Sequence, residues 1–125
     1  MKKIKKNIVH RDNRGSIIDL LERKNINAIT FITQKKGKIR GNHFHRKTTQ
    51  WNYLIRGKIE LFAKKKNKSL KKIILLRGDI VETEKNEKHA IKALKDSEFL
   101  VFTQGPRGGK NYEKDTFRLL KPLIK

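Results

Sequence analysis

Residues 37–57 read GKIRGNHFHRKTTQWNYLIRG, and this stretch decides the reading of the whole chain. Two of the four histidines, His43 and His45, are separated by a single residue. Alternate residues of a strand share a face, so both imidazoles project together, and against an apolar core that face is the inner one. Gly37 and Gly57 bracket the pair, with Gln50 between them on the next apolar run. Further on, Gly78 precedes His89 within residues 78–93, which brings a third imidazole into consideration.

On either side of this stretch, turn signals recur about every ten residues. They fall at Arg56-Gly57, Asn67 to Ser69, Arg77-Gly78-Asp79, Asn86, Lys95-Asp96-Ser97, Gly105-Pro106 and Gly108-Gly109. The segments between them carry strand character. Lys58 to Ala63 alternates, with Ile59, Leu61 and Ala63 on one face, although Phe62 breaks the polar side. Ile17–Leu21, Ala28–Thr33, Gln50–Arg56, Lys71–Leu76 and Phe99–Thr103 are rich in β-branched, leucine or aromatic residues. No window sustains a helical stripe. Pro122 interrupts the nearest candidate, Phe117–Ile124, which reads equally well as a final strand or extended arm. The expected fold class is all-β, a sandwich or barrel of short strands.

A chain of 125 residues suits one domain. Without cysteine it holds no disulfide framework and no thiolate metal site. The basic start MKKIKKNIVHRDNRG has no apolar stretch long enough for a signal peptide core or a membrane span, so a cytoplasmic protein with no membrane partner is expected. The formal net charge of +21 raises nucleic acid as a partner. Lysine, however, is spread from Lys2 to Lys125, with local blocks only at Lys64–Lys66 and Lys71–Lys72. Specific nucleic-acid binding is therefore not expected, and with aromatics at 7% a stacking platform is not apparent.

At its spaced positions the stretch 37–57 resembles the first motif of the cupins, with Gln50 where that family usually carries glutamate. Residues 78–93 resemble the second motif more loosely, since Glu84, Asn86 and Ala93 replace the usual proline, glycine and asparagine. The resemblance implies that residues 1–125 form a single cupin domain, a jelly-roll-like double-stranded β-helix barrel. A narrower likeness joins Arg40-Gly41-Asn42-His43-Phe44-His45 to cupins that act on nucleotide-linked sugars, among them deoxysugar ketoisomerases and the cupin halves of capsular polysaccharide enzymes. Asp12-Asn13-Arg14-Gly15-Ser16 is similar to the leading segment of the dehydrorhamnose epimerases.

These residues admit two chemistries. His43, His45, His89 and Gln50 form a plausible shell for one divalent transition metal such as Zn, Ni, Mn or Fe, and the neutral glutamine would leave the ion a stronger Lewis acid. Alternatively His43 and His45 are catalytic without metal, an imidazole taking a proton from the carbon beside a ketone and returning it to a neighbouring position. No organic cofactor is expected. Arg40 and Arg14 are candidate substrate-binding residues suited to a diphosphate, with Arg107 and Lys110 as further candidates. His10 belongs to neither motif and reads as a surface residue. Trp51 and Tyr53 face away from Gln50 and suit core packing or a homodimer interface. The expected function is isomerisation or epimerisation of a nucleotide-linked keto-sugar in cell-surface polysaccharide biosynthesis. A metal-dependent cupin acting on another small metabolite and a non-catalytic sugar-binding cupin are the alternatives.

Overall fold

The computed structural model describes residues 1–125. In chain order its elements are β1 (Lys2–Lys3), β2 (Asn7–Asp12), β3 (Gly15–Asp19), β4 (Ala28–Gln34), β5 (Ile39–Phe44), β6 (Thr49–Arg56), β7 (Ile59–Lys64), β8 (Lys71–Leu75), β9 (Ile80–Thr83), β10 (Lys88–Ala93), β11 (Ser97–Gln104), α1 (Lys110–Lys114) and β12 (Phe117–Arg118). Ten of these strands form two five-stranded antiparallel sheets, ordered β1-β9-β6-β11-β4 and β12-β5-β10-β7-β8. Consecutive strands such as β5 and β6, or β10 and β11, lie in different sheets. That winding is the jelly-roll arrangement expected of a cupin barrel.

Alternation along the strands builds the core. Ile59, Leu61 and Ala63 of β7 point inward as expected, beside Leu75 and Ile91 of the same sheet, and Phe99 and Val101 of β11 meet them from the other sheet with Leu54 and Val81. Phe99 is fully buried, so truncating it to alanine is expected to cost about 3–5 kcal/mol. The turn at Gly57 permits close packing of β6 and β7 against the loop before β11. Gly57 has φ +97°, and a Cβ there would stand 2.3 Å from Ser97 Oγ. Ser97 Oγ in turn accepts the Lys58 N–H at 3.1 Å.

The remaining pair, β2 and β3, makes a hairpin hydrogen-bonded to neither main sheet. Its aliphatic residues Ile8, Val9, Ile17 and Ile18 are all exposed. Trp51 does face away from the interior side of β6, but it is not available to a partner. It is 1% exposed, its indole N–H donates to Glu82 Oε1 at 3.0 Å, and Lys24 Nζ lies 5.7 Å from the ring centroid. The tail contains only the two-residue strand β12, followed by irregular chain. No helix is long and apolar enough to cross a membrane.

Candidate active site

The site begins with a bulge. Across β5 and β10, His43 faces His89 and Gly41 faces Ala90, which leaves Asn42 as the extra residue. Gly41 and Asn42 both take left-handed backbone, at φ +89° and +56°. The glycine is required by space as well, since a Cβ would sit 3.0 Å from the His89 carbonyl oxygen and 3.1 Å from Ala90 Cα. Asn42 is held by the tail, its Oδ1 accepting the Leu123 N–H at 2.9 Å.

Beyond the bulge three imidazoles converge. Ring centroids are 4.7 Å apart for His43 and His45, 4.7 Å for His43 and His89 and 5.3 Å for His45 and His89. One nitrogen from each ring lies within 4.8 Å of the others. Two of the tautomers follow from hydrogen bonding. His45 Nδ1 lies 2.9 Å from the Asp115 carbonyl oxygen, and His89 Nδ1 lies 3.0 Å from that of Glu87. A carbonyl only accepts, so both Nδ1 atoms carry the proton and both Nε2 atoms present a lone pair. The Nε2 of His45 is buried with no partner.

All three rings are held neutral. Burial, reinforced by His89, His45 and Arg118, pushes His43 down to about 3. Burial and then the neighbouring His45 push His89 down to about 4. His45 is also lowered, chiefly by burial, although the Asp115 carbonyl works against the shift.

Asp115 organises this corner. Its carboxylate accepts the Arg46 N–H at 3.0 Å, the Lys47 N–H at 3.1 Å and the Thr48 hydroxyl at 2.7 Å, while its carbonyl holds His45. Burial alone would raise its pKa, but the bonds from Thr48, Lys47 and Arg46 keep the carboxyl below the usual aspartate value.

His43 and His89 line a cavity of about 570 Å³ between the two sheets, together with Gln50 and Asn52 of β6. Ile91, Phe99 and Val101 form its apolar wall, and Thr30–Thr33 of β4 form one side. Arg40, Arg107 and Arg118 line the cavity, and no carboxylate does. Arg118 stands opposite His43 because β12 pairs with β5, and Glu113 holds its guanidinium through two bonds of 3.1 and 3.2 Å. The Arg107 guanidinium lies 4.2 Å from the Tyr112 ring centroid, and that ring lies 5.3 Å from His45.

The structure therefore brings His43, His45 and His89 together and places Gln50 and Arg40 in the same cavity. It does not place Arg14 there. Arg14 is exposed on the β2–β3 hairpin, with its guanidinium 2.7 Å from Asp12 Oδ2. His10 pairs with the same carboxylate on the surface. Lys110 lies outside the cavity lining, whereas Arg107 is part of it. Tyr112, Asp115, Arg118 and Asn52 were not identified from sequence. The first three sit in the return segment after β11, whose course depends on long-range pairing. Asn52 could have been found from its period-two relation to Gln50.

Residues 10–117 match the model of the polysaccharide biosynthesis C-terminal domain family. No curated protein sequence matches the chain significantly. Among solved structures, a 3,4-ketoisomerase from Helicobacter canadensis is 25% identical, with a TM-score of 0.79 and coverage of 94% of this chain and 90% of that one. The TDP-quinovose 3,4-ketoisomerase of Campylobacter jejuni is 23% identical, with a TM-score of 0.79 over 94% of this chain and 92% of that one. A dTDP-4-dehydrorhamnose 3,5-epimerase from Sulfolobus tokodaii is 18% identical, with a TM-score of 0.68 over 80% of this chain and 68% of that one. The last two likenesses bear on the fold alone, and that fold is the cupin barrel the motif spacing implied. With most of its length matched by the family model, the chain belongs to the polysaccharide biosynthesis C-terminal domain family.

Proposed function

We propose that the chain isomerises or epimerises a nucleotide-linked keto-sugar by enolisation. One observation carries this reading: three neutral imidazoles converge beside a cavity that three guanidiniums and no carboxylate line. Guanidiniums pair with diphosphate oxygens in a bidentate manner. Two structures of one related 3,4-ketoisomerase, from Thermoanaerobacterium thermosaccharolyticum, solved with TDP and, as a point mutant, with TDP-4-keto-6-deoxyglucose, support the ligand class.

In the proposed reaction a base takes the proton from the carbon next to the ketone. The C–H electron pair becomes the double bond of an enediol while a donor protonates the former carbonyl oxygen. Returning a proton to the former carbonyl carbon, with loss of the neighbouring hydroxyl proton, moves the ketone. Returning it to the original carbon from the other face, with loss of the proton from the former carbonyl oxygen, restores the ketone and inverts that centre. His43 faces the cavity with neither ring nitrogen committed to a protein partner, which suits it to carry the proton. His45, next to it, and Tyr112, next to His45, would serve as relay groups.

The same donors suit a divalent transition ion such as Zn, Ni, Mn or Fe. His45 and His89 have their Nδ1–H fixed by carbonyls, an arrangement that presents Nε2 to a metal, and the orphaned Nε2 of His45 lacks any other partner. His43 and Gln50 would complete the shell. When bound, such an ion would polarise the keto oxygen.

We further propose a homodimer. An isolated two-stranded hairpin is marginal in water, and β4 is an edge strand exposing Ile29 and Phe31. A hairpin laid along the β4 edge of a second copy would cover both surfaces. It would also bring Arg14 towards the cavity wall formed by β4, its remaining route to a substrate-binding role. Sedimentation of the wild type and of Phe31→Lys tests this, the expected result being a dimer that the lysine dissociates. A wild-type monomer would overturn it.

The function itself is tested by incubating the protein with TDP-4-keto-6-deoxyglucose and following the sugar by proton NMR. A shifted ketone or an inverted centre is expected, lost in His43→Ala. A substrate unchanged by the wild type, with or without added divalent metal, would refute the proposal.

A further inference from the structure

Strand β6 turns Gln50, Asn52 and Leu54 to the interior. Leu54 is fully buried in the apolar core, and Gln50 shares the cavity with His43 and His89. Asn52 stands between them and is only 3% exposed. Its cross-strand neighbours are Val101 on β11 and Val81 on β9, both core residues. The carboxamide lines the cavity beside Ile91, Phe99 and Val101 and makes no hydrogen bond to the protein. Gln34, equally buried, instead donates its amide N–H groups to the carbonyls of Lys38 and Ile91.

An amide at this position does nothing for the empty fold. Leucine has the same branched shape and would extend the apolar surface of Leu54, Val81 and Val101, whereas the carboxamide makes no packing or hydrogen-bonding contribution to the protein and presents its polar atoms to the cavity. A polar side chain that is buried, unpaired and turned into a ligand-sized cavity is explained by a ligand group that completes it. That group must both be hydrogen-bonding and sit against an apolar wall, as a hydroxyl on a partly deoxygenated ring does.

We propose that Asn52 is a specificity-determining residue, hydrogen-bonding one hydroxyl of the sugar ring while Ile91, Phe99 and Val101 take the ring's apolar edge. This rests on the nucleotide-sugar reading of the cavity. The nucleotide and diphosphate are held elsewhere, at the guanidiniums, so Asn52 acts on the sugar and not on the nucleotide. A site built to pair a hydroxyl discriminates strongly against a ligand lacking it, because the amide is then left unpaired.

The test compares TDP with TDP-6-deoxyglucose, which has no ketone and is not turned over, by isothermal titration against wild type and Asn52→Leu. In the wild type, TDP-6-deoxyglucose should bind more tightly than TDP. In Asn52→Leu the TDP affinity should stay within about twofold, while TDP-6-deoxyglucose should weaken by about tenfold or more. The ligand-free variant should melt at or near the wild-type temperature, because the carboxamide has no protein partner to lose. Equal losses for both ligands, no loss for either, or a markedly lower melting temperature without ligand would overturn the proposal. Should Asn52→Leu fail to fold, Asn52→Ser provides the same ligand comparison with the same expected split. A wild type that binds neither ligand would defeat the nucleotide-sugar reading itself, an outcome visible before any variant is made.

Discussion

Lowering the pH from 7 to 5 should destabilise this protein far more than its carboxylates can explain, because the histidine cluster is built to stay neutral. His43 and His89 fall from an ordinary value of 6.5 to about 3 and about 4 in the folded chain. Unfolding restores the ordinary value, so below 6.5 the unfolded state binds more protons and stability falls as the pH is lowered towards the folded values. At pH 5 each unfolded imidazole is almost fully protonated and each folded one almost fully neutral. Integrating the difference from pH 7 to pH 5 gives about 2 kcal/mol for each residue, or about 4 kcal/mol for the pair. The slope near pH 5 approaches about 3 kcal/mol per pH unit, and His45, shifted in the same direction, adds to it. Set against a typical total of 5–15 kcal/mol, this is a large share. Urea unfolding at pH 7, 6 and 5 measures it directly, and His89→Gln should remove between about a third and a half of the difference between pH 7 and pH 5. A change below about 1 kcal/mol over that interval would show that the imidazoles protonate normally in the folded protein, and the account of a neutral cluster would fail.

Gln50→Glu should place a carboxylate beside the imidazoles and raise their pKa values, flattening this acid loss of stability and moving the pH–rate profile upward. If an ion is bound, metal analysis after dialysis should also show more of it retained than in the wild type. Asp115→Ala leaves two backbone N–H groups and the Thr48 hydroxyl without their acceptor, so an unfolding free energy lower by about 3–5 kcal/mol is expected in urea titration. Gly41→Ala combines a left-handed backbone with a contact against the His89 carbonyl, and a lower melting temperature with reduced turnover is expected. Arg118→Ala should raise the KM for a nucleotide sugar and weaken its salt dependence, since the guanidinium lines the cavity beside His43 while remaining largely open to solvent.

How much of this could be read beforehand depended on whether a feature is local. Period-two runs such as Ile59, Leu61 and Ala63 expose the strand and its buried face within six residues, and β7 forms where the alternation places it. His43 and His45 were legible as a period-two pair, whereas Gln50 and His89, on other strands, were legible only through the resemblance of their spacing to the cupin motifs. The short strands β9 and β10 have little alternation of their own and form through pairing with β6, β5 and β7. The return segment was illegible for the same reason. Arg118 becomes a cavity residue only through the two-residue pairing of β12 with β5, and Asp115 earns its role from bonds to a loop some seventy residues earlier, Arg46 to Thr48. The five-residue α1, opened by the Gly108-Gly109 turn, is too short to leave a periodic signal. Arg14 shows the converse: its motif was visible, but the hairpin that carries it pairs with neither main sheet and leaves the residue exposed.

The central claim is that this cavity enolises a ketone on a nucleotide-linked sugar. Its most direct test is to hold TDP-4-keto-6-deoxyglucose with the wild-type protein in D2O and follow the protons on the carbons adjacent to the ketone by NMR. Enolisation predicts that at least one of these signals disappears as solvent deuterium enters, faster than in buffer alone, and that His43→Ala slows the exchange by about a hundredfold or more. Retention of both adjacent protons at the buffer rate, in a sample shown to bind the nucleotide sugar, would contradict the account.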